Sequence, residues 1–164
     1  MKKLYLFILS LILTSCLQYS NKQSTTDSFY TEKGEWDSAR IPLLKPYEAI
    51  LTSKEFGWCV NLFGNGDTGL PNTVKVAVKD DAIFLYNINT ILDGKDEKQS
   101  WHIIIPSKRL EKGFSKYQDY KKYLNKLNIR EEPKLFNIEL VASYFDDHQV
   151  MSWDDFNKEH KVVN

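Results

Sequence analysis

Thr73-Val-Lys-Val-Ala-Val-Lys79, Asp80-Asp81 and Ala82-Ile-Phe-Leu-Tyr-Asn87 form the stretch on which the fold turns. Val74, Val76 and Val78 stand two apart, so an extended chain sets them on one face. Asp80-Asp81 supplies the polar pair of a tight turn. The second apolar run then returns alongside the first, which predicts an antiparallel hairpin.

Strand signals continue on both sides. Ser100-Trp-His-Ile-Ile-Ile105 reads as a further strand, stopped by Pro106, which has no N–H to offer a ladder. The acidic, glycine-containing stretch Asp93 to Gln99 reads as the loop before it. Upstream, Trp58-Cys-Val-Asn-Leu-Phe63 is a strand candidate, followed by the loop Gly64-Asn-Gly-Asp-Thr-Gly69. Arg40-Ile-Pro-Leu-Leu-Lys-Pro-Tyr47 carries two prolines four residues apart, which suits a sheet edge or a strap across the core.

The clearest helix signal follows Ser115. Ser115 and Gln118 have capping-box spacing. Tyr117, Tyr120, Tyr123, Leu124 and Leu127 then recur at threes and fours, leaving Lys116, Lys121, Lys122 and Lys126 on the wet face. Leu135 to Phe145 is compatible with a bent strand or a short helix, and its β-branched and aromatic content favours a strand. Ser152-Trp-Asp-Asp155 resembles a capping box and predicts a short helix over Trp153 to Lys161. The expected fold is therefore α+β: a mostly antiparallel sheet of four to six strands against one Tyr-rich helix, with a short C-terminal helix.

Composition bounds the function. With 164 residues, 42% hydrophobic and 27% charged, the chain can bury the core of one domain. A formal net charge of zero excludes a dedicated nucleic-acid binder, which needs a basic excess. Charge is nevertheless segregated: residues 98–134 hold ten basic and four acidic residues, a local net of +6. Lys108, Arg109, Lys112, Lys116, Lys121, Lys122, Lys126 and Arg130 supply most of it, as a solvated face or as a surface for an acidic partner.

Catalytic signals are weak. His102, His148 and His160 have no i, i+4 His partner of the zinc type, although His148 with Asp146 and a distant ligand defines one metal-dependent alternative. Asn65 and Asp67 lack the further acids of a calcium loop. The strand that follows Gly64–Gly69 excludes a phosphate cradle, which needs a helix there. No serine sits in a nucleophile elbow, and the pairs Asp80/Asp81, Asp146/Asp147 and Asp154/Asp155 are adjacent rather than facing. Cys59, in an apolar run without a neighbouring base, reads as a small buried hydrophobe. No cofactor is implied. The four Trp, nine Tyr and nine Phe are the remaining signal, as core or as interface. The candidate binding surface is Trp36, Arg40 and Tyr47 on the proline-bearing strap, with Lys108 and Arg109 from the basic block.

The amino terminus speaks to location. Lys2 and Lys3 precede an apolar run, Leu4 to Leu13, of signal-peptide length, too short to span a bilayer permanently. Leu13-Thr14-Ser15-Cys16 follows it and resembles the lipobox of bacterial lipoproteins. That resemblance covers this segment alone. It implies that residues 1–15 are a signal peptide, that Cys16 becomes the lipidated first residue of the mature chain, and that acyl chains at Cys16 anchor the protein in a membrane. Residues 16–34, polar and without period, are then a flexible tether, and residues 35–164 the single domain. With Cys16 lipidated, Cys59 has no intrachain disulfide partner. The expected protein is a cell-envelope lipoprotein facing the periplasm or exterior. Its domain is expected to bind a target without transforming it, with an immunity-type role against a toxin as the specific form. A structural or assembly lipoprotein and a small metal-dependent hydrolase are the alternatives.

Overall fold

In the computed structural model, which describes residues 26–35, 38–51, 53, 55–64 and 69–160, the hairpin read from residues 73–87 lies at the centre of the molecule. Its strands, β5 (Thr73–Lys79) and β6 (Ala82–Leu92), pair from Lys79 opposite Ala82. Asp80 takes the left-handed conformation that the turn requires. Val76 and Val78 are buried on one face as expected, but the pairing slips between Thr73 and Lys75 and leaves Val74 half-buried.

β1 (Ala39–Pro42), β2 (Glu48–Leu51), β3 (Trp58–Asn61) and β4 (Gly69–Leu70) precede the hairpin, and β7 (Lys95–Ile105), β8 (Leu110–Phe114) and β9 (Phe136–Asn137) follow it. The strands fall into two antiparallel sheets rather than one. The first is a meander, β1-β2-β3-β4; the second has the order β8-β7-β6-β5-β9. Helices α1 (Tyr117–Lys126), α2 (Ile138–Asp147) and α3 (Trp153–Glu159) complete an α+β fold with the expected Tyr-rich and C-terminal helices.

The five-stranded sheet is covered on both faces, which explains its unbroken apolar runs. Ile83, Leu85, Ile104, Val76 and Val78 face the first sheet and helices α2 and α3. Ala77, Phe84, Ile103 and Ile105 face the opposite way, against Tyr120 and Leu124 of α1. Tyr120, Phe84, Phe145 and Phe156 are among the largest fully buried side chains.

Three local expectations change. Asp93 to Gln99 is not a loop. β6 and β7 extend to Leu92 opposite Lys95, leaving Asp93-Gly94 as a two-residue turn with φ of +50° and +73°. That is the type I′ pattern, and Asp-Gly is its favoured sequence. Leu135 to Phe145 is mostly helix. Only Phe136–Asn137 pairs, after which the Asn137 side chain caps the Glu139 N–H at 2.9 Å. Ile138, Val141, Tyr144 and Phe145 then form a helical stripe. The capping role of Ser115 does not materialise, because α1 starts two residues later, after Lys116. Ser152 does cap α3 through the Asp155 N–H.

The domain also begins earlier than residue 35. Ser28–Tyr30 form a turn of 3-10 helix, capped by Asp27. Tyr30 O accepts a hydrogen bond from the Met151 N–H at 2.8 Å, and Phe29 O accepts one from Arg40 at 2.8 Å. Two aromatics among polar residues are enough to dock this segment. Residues 1–15, Cys16, the tether up to residue 25, and Trp36 lie outside the described residues.

Candidate functional site

The residues expected to form a surface have separate roles. Arg40 is an internal clasp with a side chain only 10% exposed. Its guanidinium pairs with the Glu48 carboxylate and donates to Phe29 O and to Glu32 O, and it lies 4.5 Å over the Phe29 ring. Tyr47 is buried, and its hydroxyl donates to Glu111 Oε1 at 2.6 Å. Burial, with the Glu111 carboxylate beside it, pushes that phenol well above the ordinary tyrosine range. Lys108 and Arg109 are exposed where β7 turns into β8, in the other sheet from Arg40 and Tyr47. Of the four described residues of that surface, Arg40 and Tyr47 are engaged inside the fold, and Lys108 and Arg109 are exposed.

That pair belongs to a stripe along β8 and α1. The Lys112 ammonium lies 5.6 Å from the ring centroids of both Phe114 and Tyr123, and Lys126 lies 5.6 Å over the same Tyr123 ring. The Tyr123 ring thus has two ammoniums within cation–π range. Lys121 and Lys122 are partly neutralised by Glu132 and Asp119. Among the described residues, Lys108, Arg109, Lys112 and Lys126 have no carboxylate within 4.0 Å.

Strand alternation sends Glu111, the neighbour of Lys112, to the opposite face. There its Oε1 accepts from Tyr47 and from the Phe63 N–H at 2.8 Å, and its Oε2 from the Gly64 N–H at 2.8 Å. This carboxylate ties β8 to the first sheet. Beside it opens a cavity of about 700 Å³ between the two sheets, with walls that include Leu62, Leu70, Ile91, Leu92 and Ile104. The side chain of Lys112 faces α1, so the stripe and the cavity lie on opposite faces of one strand.

His102 is the buried polar side chain of that cavity, only 3% exposed. Its Nε2 lies 2.9 Å from the Ser100 hydroxyl. Its other ring edge leans over Gly113, its partner in register: a Cβ there would come 2.8 Å from Cε1 and 3.0 Å from Nδ1. Glycine is what lets the imidazole lie flat against β8. Burial depresses His102 to about 4, so the ring is neutral at pH 7.

The remaining chemistry serves the fold. His148 Nδ1 donates to Tyr144 O at 2.7 Å and His160 Nδ1 to Phe156 O at 2.9 Å, each closing a helix C-terminus. Both rings stack on an aromatic one turn back. Burial pushes the Cys59 thiol up, away from thiolate reactivity. Among the described residues no group of three or more His, Cys, Asp or Glu side chains could hold a metal ion. No helix among them is long and apolar enough to cross a membrane.

His102 and Glu111 were missed as partners of one site. A signal for His102 existed: it shares a face with Ile104, and the run Ile103–Ile105 marks both faces of that strand as buried. Glu111 carried none, because its three donors come from residues distant in sequence. Comparison with protein-family models, curated proteins and solved structures returns no match.

Proposed function

We propose that this chain is a lipid-anchored envelope protein, held through Cys16, whose domain works by binding an acidic protein partner in the manner of an immunity protein. The basic stripe carries the binding half of this reading. Lys108, Arg109, Lys112 and Lys126 present positive charge that no carboxylate in the described residues neutralises, and Lys112 and Lys126 flank the half-buried Tyr123. Such an arrangement steers an acidic surface and gives it an aromatic contact on arrival. The Leu13-Thr14-Ser15-Cys16 sequence supports the anchoring half.

Two measurements test the two halves. Fatty-acid labelling of the full-length chain is expected to vanish in Cys16→Ala, with precursor accumulating; unchanged labelling refutes the anchor. Affinity capture from envelope extracts is expected to retain one acidic protein on the wild type and lose it with Lys112→Glu/Lys126→Glu. No retained protein at physiological salt, or equal retention by the variant, refutes the partner.

A further inference from the structure

We propose that the cavity between the two sheets is a binding site for a small uncharged amphiphile, an apolar body carrying one hydroxyl or carbonyl that hydrogen-bonds to His102 Nδ1. Four observations carry it. The volume, about 700 Å³, is that of a small-molecule site. The lining is more apolar than polar, with Leu62, Leu70, Ile91, Leu92 and Ile104 beside the charged Asp93, Glu111 and Lys112, and Ile91 is 65% exposed. The one polar side chain set deep in it, His102, uses Nε2 on Ser100, while Nδ1 has no hydrogen-bond partner among the described residues. The layer behind it has acceptor capacity to spare as well: Asn87, opposite Ser100 in register, donates to Thr73 Oγ1 and Pro71 O, yet its Oδ1 has no partner there.

Charge selects the class of ligand. An anion would enter beside Glu111 and Asp93; Lys112 also borders the cavity, but its ammonium lies 5.6 Å from the Phe114 and Tyr123 ring centroids and is committed to them. A cation would find Glu111 already engaged by three donors. Burying either charge without a partner is costly. A neutral molecule escapes both penalties, and a neutral imidazole serves it as donor or acceptor according to tautomer. This site goes beyond the proposed protein partner, which meets the opposite face of the strand.

The test uses the chain from residue 16 onward with Cys16→Ser, so that no lipid is attached, after a cooperative thermal melt shows that it is folded. N-phenyl-1-naphthylamine, an uncharged apolar fluorophore, is expected to brighten on binding. 1-Decanol is expected to displace it about ten-fold more effectively than decanoate above neutral pH, the worth of one good hydrogen bond without a buried charge. His102→Leu should remove that preference. In ¹⁵N-labelled wild-type protein, decanol should move the His102 Nδ1 resonance and leave Lys112 unmoved. An unchanged fluorophore signal, equal competition by decanol and decanoate, or a stationary His102 resonance overturns the proposal. The competition series and the resonance need no variant, so a poorly folding His102→Leu protein leaves the test intact.

Discussion

Between pH 6.5 and 4, the buried imidazole of His102 makes this protein lose stability in acid. Burial holds His102 at about 4 in the folded chain, against 6.5 for an ordinary histidine. Between those values the unfolded chain binds a proton that the folded chain refuses, so stability falls as the pH falls. The contribution is fully present above 6.5, is lost progressively towards 4, and levels off below that. At about 1.4 kcal/mol per pH unit the gap is worth about 3 kcal/mol, a large share of the roughly 5–15 kcal/mol of a typical domain. The assay is urea unfolding of the wild type and of His102→Gln at several pH values from 7.5 to 4. Glutamine never ionises here and can still meet the Ser100 hydroxyl. The wild-type advantage should shrink by about 3 kcal/mol across that range. Asp27 and Asp155, whose carboxyls are held below the ordinary range by hydrogen bonds from Lys45 and Ser152 respectively, are common to both proteins and cancel in the comparison. A wild-type advantage that stays constant from pH 7.5 to 4 refutes the buried, neutral histidine.

Other perturbations follow from the same structure. Phe156→Ala empties a fully buried position ringed by Phe136, Tyr144 and Trp153, and should cost about 3–5 kcal/mol in denaturant unfolding. Gly94→Ala places a Cβ in open space but at φ +73°, so strain alone should cost about 1–2 kcal/mol, and Gly94→Asn should cost less. Glu111→Ala withdraws the acceptor from three donors and should cost about 2–3 kcal/mol, with Tyr47→Phe costing about 1 kcal/mol, both read by urea titration. A chain starting at residue 35 should melt lower than one starting at residue 26, because Arg40 loses Phe29 and Glu32 and Met151 loses Tyr30; equal melting temperatures would show that the segment does not dock.

The legible parts of this fold are those written in local pattern. The 73–87 hairpin has a period of two and a turn, α1 has a period of three to four, and α3 has a serine cap; all three elements appear, α1 starting two residues after Ser115. What misled was composition taken without period. Val141 and Phe145 are strand formers by propensity, yet with Ile138 and Tyr144 they lie on one helical face, and Asn137 starts that helix. Asp93-Gly94 offered the strongest two-residue hairpin signal in the chain, hidden because the acidic residues around it look like a loop. The site was less legible than the fold for a physical reason. Arg40 and Tyr47 have the chemistry of interface residues, but whether such a side chain faces outward depends on Glu48, Phe29 and Glu111, partners supplied by tertiary structure.

The way the two sheets finish has a consequence for behaviour at high concentration. β4 and β9 are only two residues long, β1 ends in Pro42, and β8 carries Glu111, Lys112 and Gly113 in its middle. Short, proline-bearing and charged rims offer a poor template for strand addition by another molecule. A protein built this way can be crowded with copies of itself and resist self-assembly into β-fibres, although nearly all of its longer strands are rich in isoleucine, valine and leucine.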